Sequence, residues 1–302
     1  MGRRARGRPV DGILLLDKPG GLTSNQSLQR VKRLFDARKA GHTGSLDPLA
    51  TGLLPLCLGH ATKVSAFLLD SDKRYEVTAQ FGARTDTADA QGQVTETSDV
   101  RPDRAAIDAA MTALTGPIEQ IPPMYSALKH KGQRLYSLAR EGKEVERPPR
   151  AVTIHEFVCT VASADEASFE VQCSKGTYIR TLMEDLAARC GTLAHVTRLR
   201  RTAVGPFDGR NMLTLEELEQ ISEEGGHAAL DARLARADTA LGHWPAVELD
   251  EKAVFLVGNG QTVTAAQAPP EGTVRLYAES GDFLGLGEAL GGSRVAPKRL
   301  FK

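Results

Sequence analysis

One acidic residue stands alone in a turn-rich, otherwise apolar part of the sequence. Asp47 lies within GHTGSLDPLATGLLPLCLG, residues 41–59, which contains no second acid and no Lys or Arg. Gly44, Pro48 and Gly52 favour turns, so the pattern predicts that Asp47 lies on a loop, and its small apolar neighbours indicate that the loop packs against the protein body. An ionised carboxylate there needs a cation or a chemical role. An ordinary turn-opening Asp is the simpler alternative.

Two more residues could take part in chemistry, although each has a plainer interpretation. Tyr75 alternates with Val77 and Phe81 in a half-buried strand predicted over 73–81, which by itself indicates a core residue. Arg180 falls in the first turn of an amphipathic helix predicted over 178–190. The helix dipole disfavours a cation at that position unless an anionic partner is near, and a surface Arg reaching solvent is the alternative.

Four stretches, in this order along the chain, closely resemble motifs of the TruB family of tRNA pseudouridine synthases. They are residues 41–59, DKRYEV at 72–77 followed by TDTAD at 85–89, PPMYSALK at 122–129, and KGTYIRTL at 175–182. The resemblance covers about residues 10–205. It implies an α+β catalytic domain around a mixed, mainly antiparallel sheet. By position and composition, we expect the residues at the C-terminus to form a small β-rich, PUA-like domain that binds RNA.

The resemblance also implies roles for individual residues. Asp47 would be the catalytic nucleophile, Arg180 its ion-pair partner, and Tyr75 the residue that stacks on the target uracil and assists proton removal. A guanidinium close to a partly desolvated carboxylate keeps it ionised, as nucleophilic attack requires. The substrate-binding residues expected from the resemblance or from their charge are His42, Lys18, Pro19, Tyr178, Leu199, Lys129, Lys131 and Arg134.

Composition sets the broad class of the protein. The chain has 302 residues, with 41% hydrophobic and 25% charged, which is typical of a soluble protein of about two domains. The basic N-terminus leads into only four apolar residues, 13–16, too few for a signal peptide, so we expect a cytoplasmic protein. The cysteines and histidines are scattered, and no phosphate-binding glycine loop occurs. We therefore expect no cofactor, no metal and no membrane contact, and a monomer.

The net charge of zero conceals segregated charges. Residues 129–150 contain seven Lys or Arg against three Glu, residues 1–8 contain four Arg, and the last nine residues are basic. Arg198, Arg200 and Arg201 form another cluster. Basic patches in a chain whose net charge is zero favour binding of a polyanionic partner. The alternative is that these charges only face solvent. Residues 117–135 predict a long, mobile loop whose Lys129, Lys131 and Arg134 contact RNA.

The order of predicted elements divides the chain into a basic tail at 1–10, a catalytic domain at 11–243 and the PUA-like domain at 244–302. Turn residues 242–245 mark the second boundary. A strand is predicted at 12–16 and a capping box at Thr23 that opens a helix to about residue 36. Further predictions are helices at 61–69 and 102–114, a hairpin at 152–175, an extended segment at 195–204 and two acidic helices within 214–240.

The resemblance implies that the protein isomerises uridine to pseudouridine at position 55 in the T loop of tRNA. The target base must leave its stack before the C1′–N1 bond can be exchanged for a C1′–C5 bond. Asp47 would attack C1′ or C6, or assist elimination to a glycal. Two rivals share some of these features: a non-catalytic tRNA-binding or folding protein, and a nucleoside-processing enzyme that uses Asp47.

Overall fold

The computed structural model describes residues 7–130 and 132–301. The strands in this part of the chain are β1 Gly12–Lys18, β2 Ala40–His42, β3 Thr51–Leu58, β4 Lys73–Phe81, β5 Ala83–Thr85, β6 Val94–Thr97, β7 Gly116–Gln120, β8 Lys129–His130, β9 Gln133–Arg134, β10 Arg150–Ala162, β11 Glu166–Cys173, β12 Ala194–Val204, β13 Ala246–Leu249, β14 Val263–Thr264, β15 Gly272–Ala278, β16 Phe283–Ala289 and β17 Arg294–Leu300. The helices are α1 Ser24–Leu34, α2 Ser65–Asp70, α3 Arg104–Leu114, α4 Leu135–Arg140, α5 Ile179–Arg189, α6 Leu215–Asp231 and α7 Glu251–Gly258.

The larger sheet has the strand order β1-β3-β12-β4-β11-β10-β7, with β2 added beside β3. Its pairs are antiparallel except for the short parallel contact of β12 with β3. The resemblance implied this mixed, mainly antiparallel sheet, and the structure confirms it. The apolar alternation of β4 buries Tyr75, Val77 and Phe81 on one face, as the period of two requires.

Strand β3 has three neighbours. It pairs with β1 along its whole length, so β2 and β12 must share its other edge. There β2 pairs with residues 56–58, whereas β12 reaches residues 51 and 52 at the opposite end. The loop at 43–50 connects β2 to the start of β3 and therefore emerges at this junction.

Helices α1, α3, α5 and α6 cover one face of the sheet and form the largest apolar core. The start of α1 is fixed by the predicted capping box, in which the Thr23 side chain and Gln26 satisfy each other's backbone N–H groups. Asp103 caps α3 by accepting from the N–H of Ala106. A second core on the other side joins β1 and β3 to α2 and includes Leu286 of β16.

The C-terminal residues form a separate five-stranded sheet, ordered β13-β15-β16-β17-β14, with α7 and its own apolar core. This module touches the first domain beside α2. The Lys63 ammonium donates to the carbonyl of Leu300 at 2.7 Å, and Arg299 donates to the carbonyl of Lys63 at 2.9 Å. The rings of Phe67 and Trp244 meet edge to face at 4.9 Å. The basic end of the chain therefore serves partly as a packing surface.

Several predicted elements differ from the structure. The first four residues of the predicted 117–135 loop, 117–120, belong to the edge strand β7, which pairs with β10, because backbone pairing outweighs the turn preference of Pro117. The helix predicted at 61–69 is a 3₁₀ turn followed by the short α2. The two helices predicted in 214–240 are one helix, α6, kinked at Gly226, and a 3₁₀ turn at 237–241. Strand β3 was not predicted, since Pro55 interrupts its apolar run.

Some predicted basic patches are neutralised or buried. Arg8 is not part of a free tail, because it pairs with Asp231 at 2.8 Å, while residues 1–6 lie outside the described residues. Arg200 pairs with Asp17 at 2.6 Å. Arg201 is 1% exposed and cannot contribute to a surface patch at all. Of that arginine cluster, only Arg198 is exposed.

Gly52 explains how β12 approaches β3 so closely. It has φ +95°, and a Cβ there would lie 2.3 Å from the carbonyl oxygen of Arg201. Gly116 has the same φ but open space around it. We expect Gly116→Ala to lower the free energy of unfolding by about 1–2 kcal/mol through backbone strain alone. Gly52→Ala should cost at least about 2 kcal/mol more, because the strands must separate.

Urea unfolding of both variants, followed by circular dichroism, measures this difference. Equal losses for the two glycines would show that strand proximity at Gly52 is unimportant.

Candidate active site

Hydrogen bonds to the start of α1 and to the turn before it hold the loop that carries Asp47. The Ser24 hydroxyl accepts from the N–H of Leu46 at 2.7 Å and donates to its carbonyl at 3.1 Å. The N–H of Gly21 donates to the carbonyl of Pro48 at 2.8 Å. Because the backbone on both sides of Asp47 is fixed, its side chain points from a rigid loop, as preorganised chemistry requires.

Lys18, at the end of β1, is fully buried beneath the same loop. Its ammonium donates to the carbonyls of Ala50 at 2.6 Å and Pro19 at 2.8 Å. Burial lowers the pKa of Lys18, the charge of Asp47 opposes this shift and the charge of Arg201 adds to it, and the net pKa is about 8. Lys18 and Pro19 thus support the end of the Asp47 loop.

Asp47 is ion-paired with Arg180, as the resemblance implied. Its Oδ2 lies 2.8 Å from Nε of Arg180, whose side chain is 4% exposed while that of Asp47 is 39% exposed. The guanidinium also donates to the carbonyls of Tyr125, at 2.7 Å, and Thr87. A buried guanidinium that is hydrogen-bonded on several sides is rigid. It therefore fixes the position of the Asp47 carboxylate, which remains accessible to a ligand.

Tyr75 and Leu199 lie on the same face of neighbouring strands. Tyr75 is 9% exposed, and Leu199 pairs with Val77, two residues along β4. Burial raises the pKa of Tyr75, and the charge of Arg201 opposes this rise. The phenol is therefore protonated at neutral pH. The charge of Asp47 adds a small contribution to this rise.

Tyr178 immediately precedes α5 and is held by Gln120. Its N–H donates to Oε1 of Gln120 at 3.0 Å, and Nε2 of Gln120 donates to its carbonyl at 3.3 Å. Burial raises the pKa of Tyr178, and the nearby charges of Arg150 and Arg180 act against the shift. The side chain is half-buried beside Arg180, where it can form a wall of the site.

His42 lies on β2 and Arg134 on β9. Burial lowers the pKa of His42, and the charges of Arg201 and Arg134 lower it further. Its buried Nδ1 has no hydrogen-bond partner in the part of the chain that the structure describes. Arg134 stands over the ring of Tyr136, 5.8 Å from its centre. Lys131 and the side chain of Lys129 lie outside the described residues.

Three buried polar residues of this region were not singled out as site residues from the sequence. Asp89 lies 4.0 Å from Nε of Arg180, Gln120 holds Tyr178, and Arg201 lies opposite Tyr75. Asp89 belongs to the TDTAD motif and could have been noticed there. Arg201 follows Leu199 by two residues, which places both on one face of a strand, whereas nothing in the sequence around Gln120 indicates its partner.

Comparison with known proteins identifies the family. Three family models cover nearly the whole chain: TruB family pseudouridylate synthase (N terminal domain) at residues 32–179, tRNA pseudouridylate synthase B C-terminal domain at 180–242, and Pseudouridine synthase II TruB, C-terminal at 245–301. The chain belongs to the TruB family of pseudouridine synthases. It is therefore an enzyme of the isomerase class.

Full-length relatives agree with the assignment to TruB. The tRNA pseudouridine synthase B of Stutzerimonas stutzeri is 52% identical over 98% of this chain and 97% of the relative, and that of Pseudomonas fluorescens is 53% identical with the same coverage. The protein of the same name from Nitrosococcus oceani is 52% identical over 99% of this chain.

Solved structures show the same fold. A Cbf5–Nop10–Gar1 complex matches all of this chain and 91% of that chain, with a TM-score of 0.74 and 25% identity. An H/ACA RNP bound to a substrate RNA containing 2′-deoxyuridine also gives a TM-score of 0.74, covering all of this chain and 92% of that one at 22% identity. At 22% identity, the similarity to the H/ACA RNP shows only that the fold is shared.

Two negative findings apply to residues 7–130 and 132–301 of this TruB chain. No group of three or more His, Cys, Asp or Glu side chains is arranged to hold a metal ion there. Within the same residues, the helices are too short or too polar to cross a membrane.

The burial of Lys18 predicts a pH dependence of stability. Its pKa is about 8 in the folded protein against an ordinary 10.5, so the unfolded chain binds more protons between these values. The free energy of unfolding of the wild type, relative to Lys18→Met, should rise with pH from about 8 to 10.5, by up to about 3 kcal/mol.

Urea unfolding of both proteins at several pH values tests this expectation. The exposed Lys252 provides the control, because Lys252→Met removes a side chain that is in water and should show no such rise. If the difference in free energy of unfolding between the wild type and Lys18→Met does not change from pH 8 to 10.5, the lowered pKa of Lys18 is wrong.

Proposed function

We propose that this enzyme converts uridine 55 in the T loop of tRNA to pseudouridine. The C1′–N1 bond of the nucleotide breaks and a C1′–C5 bond forms, while C5 loses a hydrogen and N1 gains one. The observation that carries the proposal is the half-exposed carboxylate of Asp47, held at 2.8 Å by the buried Arg180. Relatives that are 52–53% identical over nearly the whole chain, each called tRNA pseudouridine synthase B, support tRNA as the substrate.

The site's geometry suits an everted nucleotide. A stacked base is out of reach of Asp47, so the uridine must be flipped out at a cost of a few kcal/mol. Asp47 then acts as the nucleophile on C1′ or C6, or assists elimination to a glycal. Both ends of the new bond come from the substrate itself, so the reaction is balanced without a donor group, and we propose that no cofactor is used.

The other residues divide between the base and the surrounding RNA. Tyr75 stacks on the uracil, and Leu199 and Tyr178 form the apolar walls, as their burial beside Asp47 and Arg180 supports. Aromatic stacking offsets part of the flipping cost. The RNA contacts that we propose are made by the side chains of His42, Lys129, Lys131 and Arg134. Lys18 was expected among them, but its ammonium is fully buried and donates to the carbonyls of Pro19 and Ala50, so it supports the loop together with Pro19 and does not contact RNA.

The two sheets suggest a division of labour along the chain. We propose that residues 11–243 form the catalytic domain and that residues 244–302, the PUA-like domain, bind another part of the tRNA. The exposed Lys and Arg side chains of the C-terminal module support the second role. We also propose that the enzyme acts as a monomer and that it works in the cytoplasm, a reducing compartment with which its four unpaired cysteines agree.

Replacing Asp47 by Asn tests the catalytic role. Asp47→Asn removes the nucleophile but keeps the side chain's shape, so pseudouridine formation in unmodified tRNA should fall by about 10⁴-fold or more. The affinity for tRNA should stay within about threefold of the wild type, because phosphate contacts carry most of it. Asp108→Asn, on the exposed surface of α3, is the matched control and should keep both values.

The same assay separates the rival functions. Tight tRNA binding without product from the wild type would favour a binding or folding protein. Turnover of free uridine would favour a nucleoside-processing enzyme. A folded Asp47→Asn variant that still forms pseudouridine at the wild-type rate would refute the role of Asp47.

The segment after β7 approaches the site and should order further on tRNA. The carbonyl of Tyr125 accepts from Arg180, so this segment already touches the catalytic ion pair. We expect trypsin cleavage within residues 121–135 to slow at least about fivefold when saturating tRNA is added, since its Lys and Arg side chains would meet phosphates.

A hairpin RNA whose loop lacks uridine, at the same concentration, is the control. It keeps its phosphates, so it should also slow cleavage, which would assign the protection to phosphate contacts and not to the flipped base. Cleavage rates that do not change with tRNA would remove this segment from the RNA interface.

A further inference from the structure

Gln120 is a buried residue to which the proposed mechanism assigns no role. It is the last residue of β7 and is 2% exposed. The N–H of Tyr178 donates to Oε1 of Gln120 at 3.0 Å, and Nε2 of Gln120 donates to the carbonyl of Tyr178 at 3.3 Å. A backbone N–H only donates and a carbonyl only accepts, so the two bonds fix the orientation of the amide. One buried side chain therefore holds both polar groups of the Tyr178 backbone.

The start of α5 depends on this outside support. Tyr178 is the N-cap residue of α5, but its side chain makes no capping hydrogen bond. Ser, Thr, Asp or Asn at that position would fix the first turn locally. Arg180, two residues further on, places a cation in the same turn, where the helix dipole disfavours it. The bonds to Gln120 thus supply a position for the start of α5 that its own sequence does not specify.

The position of Arg180 follows from the start of α5. Its Nε lies 2.8 Å from Oδ2 of Asp47, and the strength of such a charged hydrogen bond falls steeply when the donor is misplaced. Its guanidinium also donates to the carbonyl of Tyr125 at 2.7 Å, and Tyr125 is five residues beyond Gln120. Gln120 is therefore connected to Arg180 on two sides, through the backbone of Tyr178 and through the segment that leads to Tyr125.

We propose that Gln120 is a positioning residue for the catalytic ion pair. By holding the backbone of Tyr178, it sets where α5 begins and so places the guanidinium of Arg180 against Asp47. Gln120 is buried and uncharged, so it should contribute to the rate of the reaction and not to the affinity for tRNA. The inference deepens the proposed function and rests on it.

Single-turnover pseudouridine formation in unmodified tRNA, with the enzyme in saturating excess, tests the proposal. Gln120→Met keeps the length of the side chain and removes both hydrogen bonds. The rate should fall about tenfold, because a small displacement of the ion pair disturbs the reacting geometry. The dissociation constant for tRNA should stay within about twofold of the wild-type value.

The Gln120→Glu variant provides a readout that a loss of packing would not give. Its carboxylate can accept from the N–H of Tyr178 but cannot donate to the carbonyl, whereas the protonated carboxyl can do both. Burial raises the pKa of such a carboxyl. The rate relative to the wild type should therefore rise at least about threefold as the pH falls from about 8 to about 6.

A double-mutant cycle identifies the residue through which Gln120 acts. In an Arg180→Lys background, which lacks the guanidinium, Gln120→Met should lower the rate by less than about twofold more. In a Tyr178→Leu background, which lacks the phenol ring, the same substitution should still cost about tenfold. If Gln120 acted through the ring of Tyr178 instead, the pattern would be the opposite.

Controls separate this role from a general loss of stability. Gln220→Met, on the exposed surface of α6, should leave the rate and the affinity for tRNA unchanged. Thermal unfolding of each variant reports the effect of the lost hydrogen bonds, and all rates are measured well below each midpoint. If Gln120→Met does not fold, the pH dependence of Gln120→Glu decides.

Any of the following outcomes would overturn the inference: a folded Gln120→Met variant with the wild-type rate, an equal cost of this substitution with and without the Arg180 guanidinium, or a relative rate of Gln120→Glu that does not change with pH. A wild type that forms no pseudouridine from tRNA would instead refute the proposed function itself.

Discussion

The ion pair between Arg180 and Asp47 is the interaction on which the site depends. Arg180 is buried, so removing Asp47 would leave its guanidinium without its nearest carboxylate, and the loop and the helix must hold the two side chains together. Arg180 begins α5, where the dipole disfavours it, and the backbone carbonyls of Tyr125 and Thr87 complete its shell. The helix start, the segment after β7 and the Asp47 loop therefore converge on one guanidinium.

The strand junction explains why the loop lies where it does. Strand β3 offers one edge to both β2 and β12, and the loop emerges between them. Gly52 allows the backbone of β12 to come close enough for Arg201 to reach under the loop. Tyr75 lies on β4, the next strand after β12, directly opposite Arg201. The pairing of β3 with β12 thus fixes the position of Arg201 relative to the loop that carries Asp47.

Much of this could be predicted from the sequence, and the exceptions have physical reasons. The alternation in 73–81 and the capping box at Thr23 are local signals, and both elements are present. Strand β3 and strand β7 were missed because Pro55 and Pro117 suggest loops, while pairing with neighbouring strands decides their structure. Arg201 was assigned to a surface patch because charge alone does not reveal which strand face is buried.

Buried positive charge is the feature that sequence reasoning could not anticipate. Lys18, Arg180 and Arg201 are all nearly inaccessible, and they surround the loop that carries Asp47. The pKa of Lys18, lowered to about 8, shows that burying this charge near Arg201 lowers the stability of the folded state. In return, these cations attract a carboxylate in a partly desolvated site. Burial and, to a lesser extent, the charge of Arg201 also lower the pKa of His42. The protein is less stable for burying these cations, but the reaction needs the ionised carboxylate of Asp47 that they stabilise. Such a loss of stability at a functional site is common in enzymes.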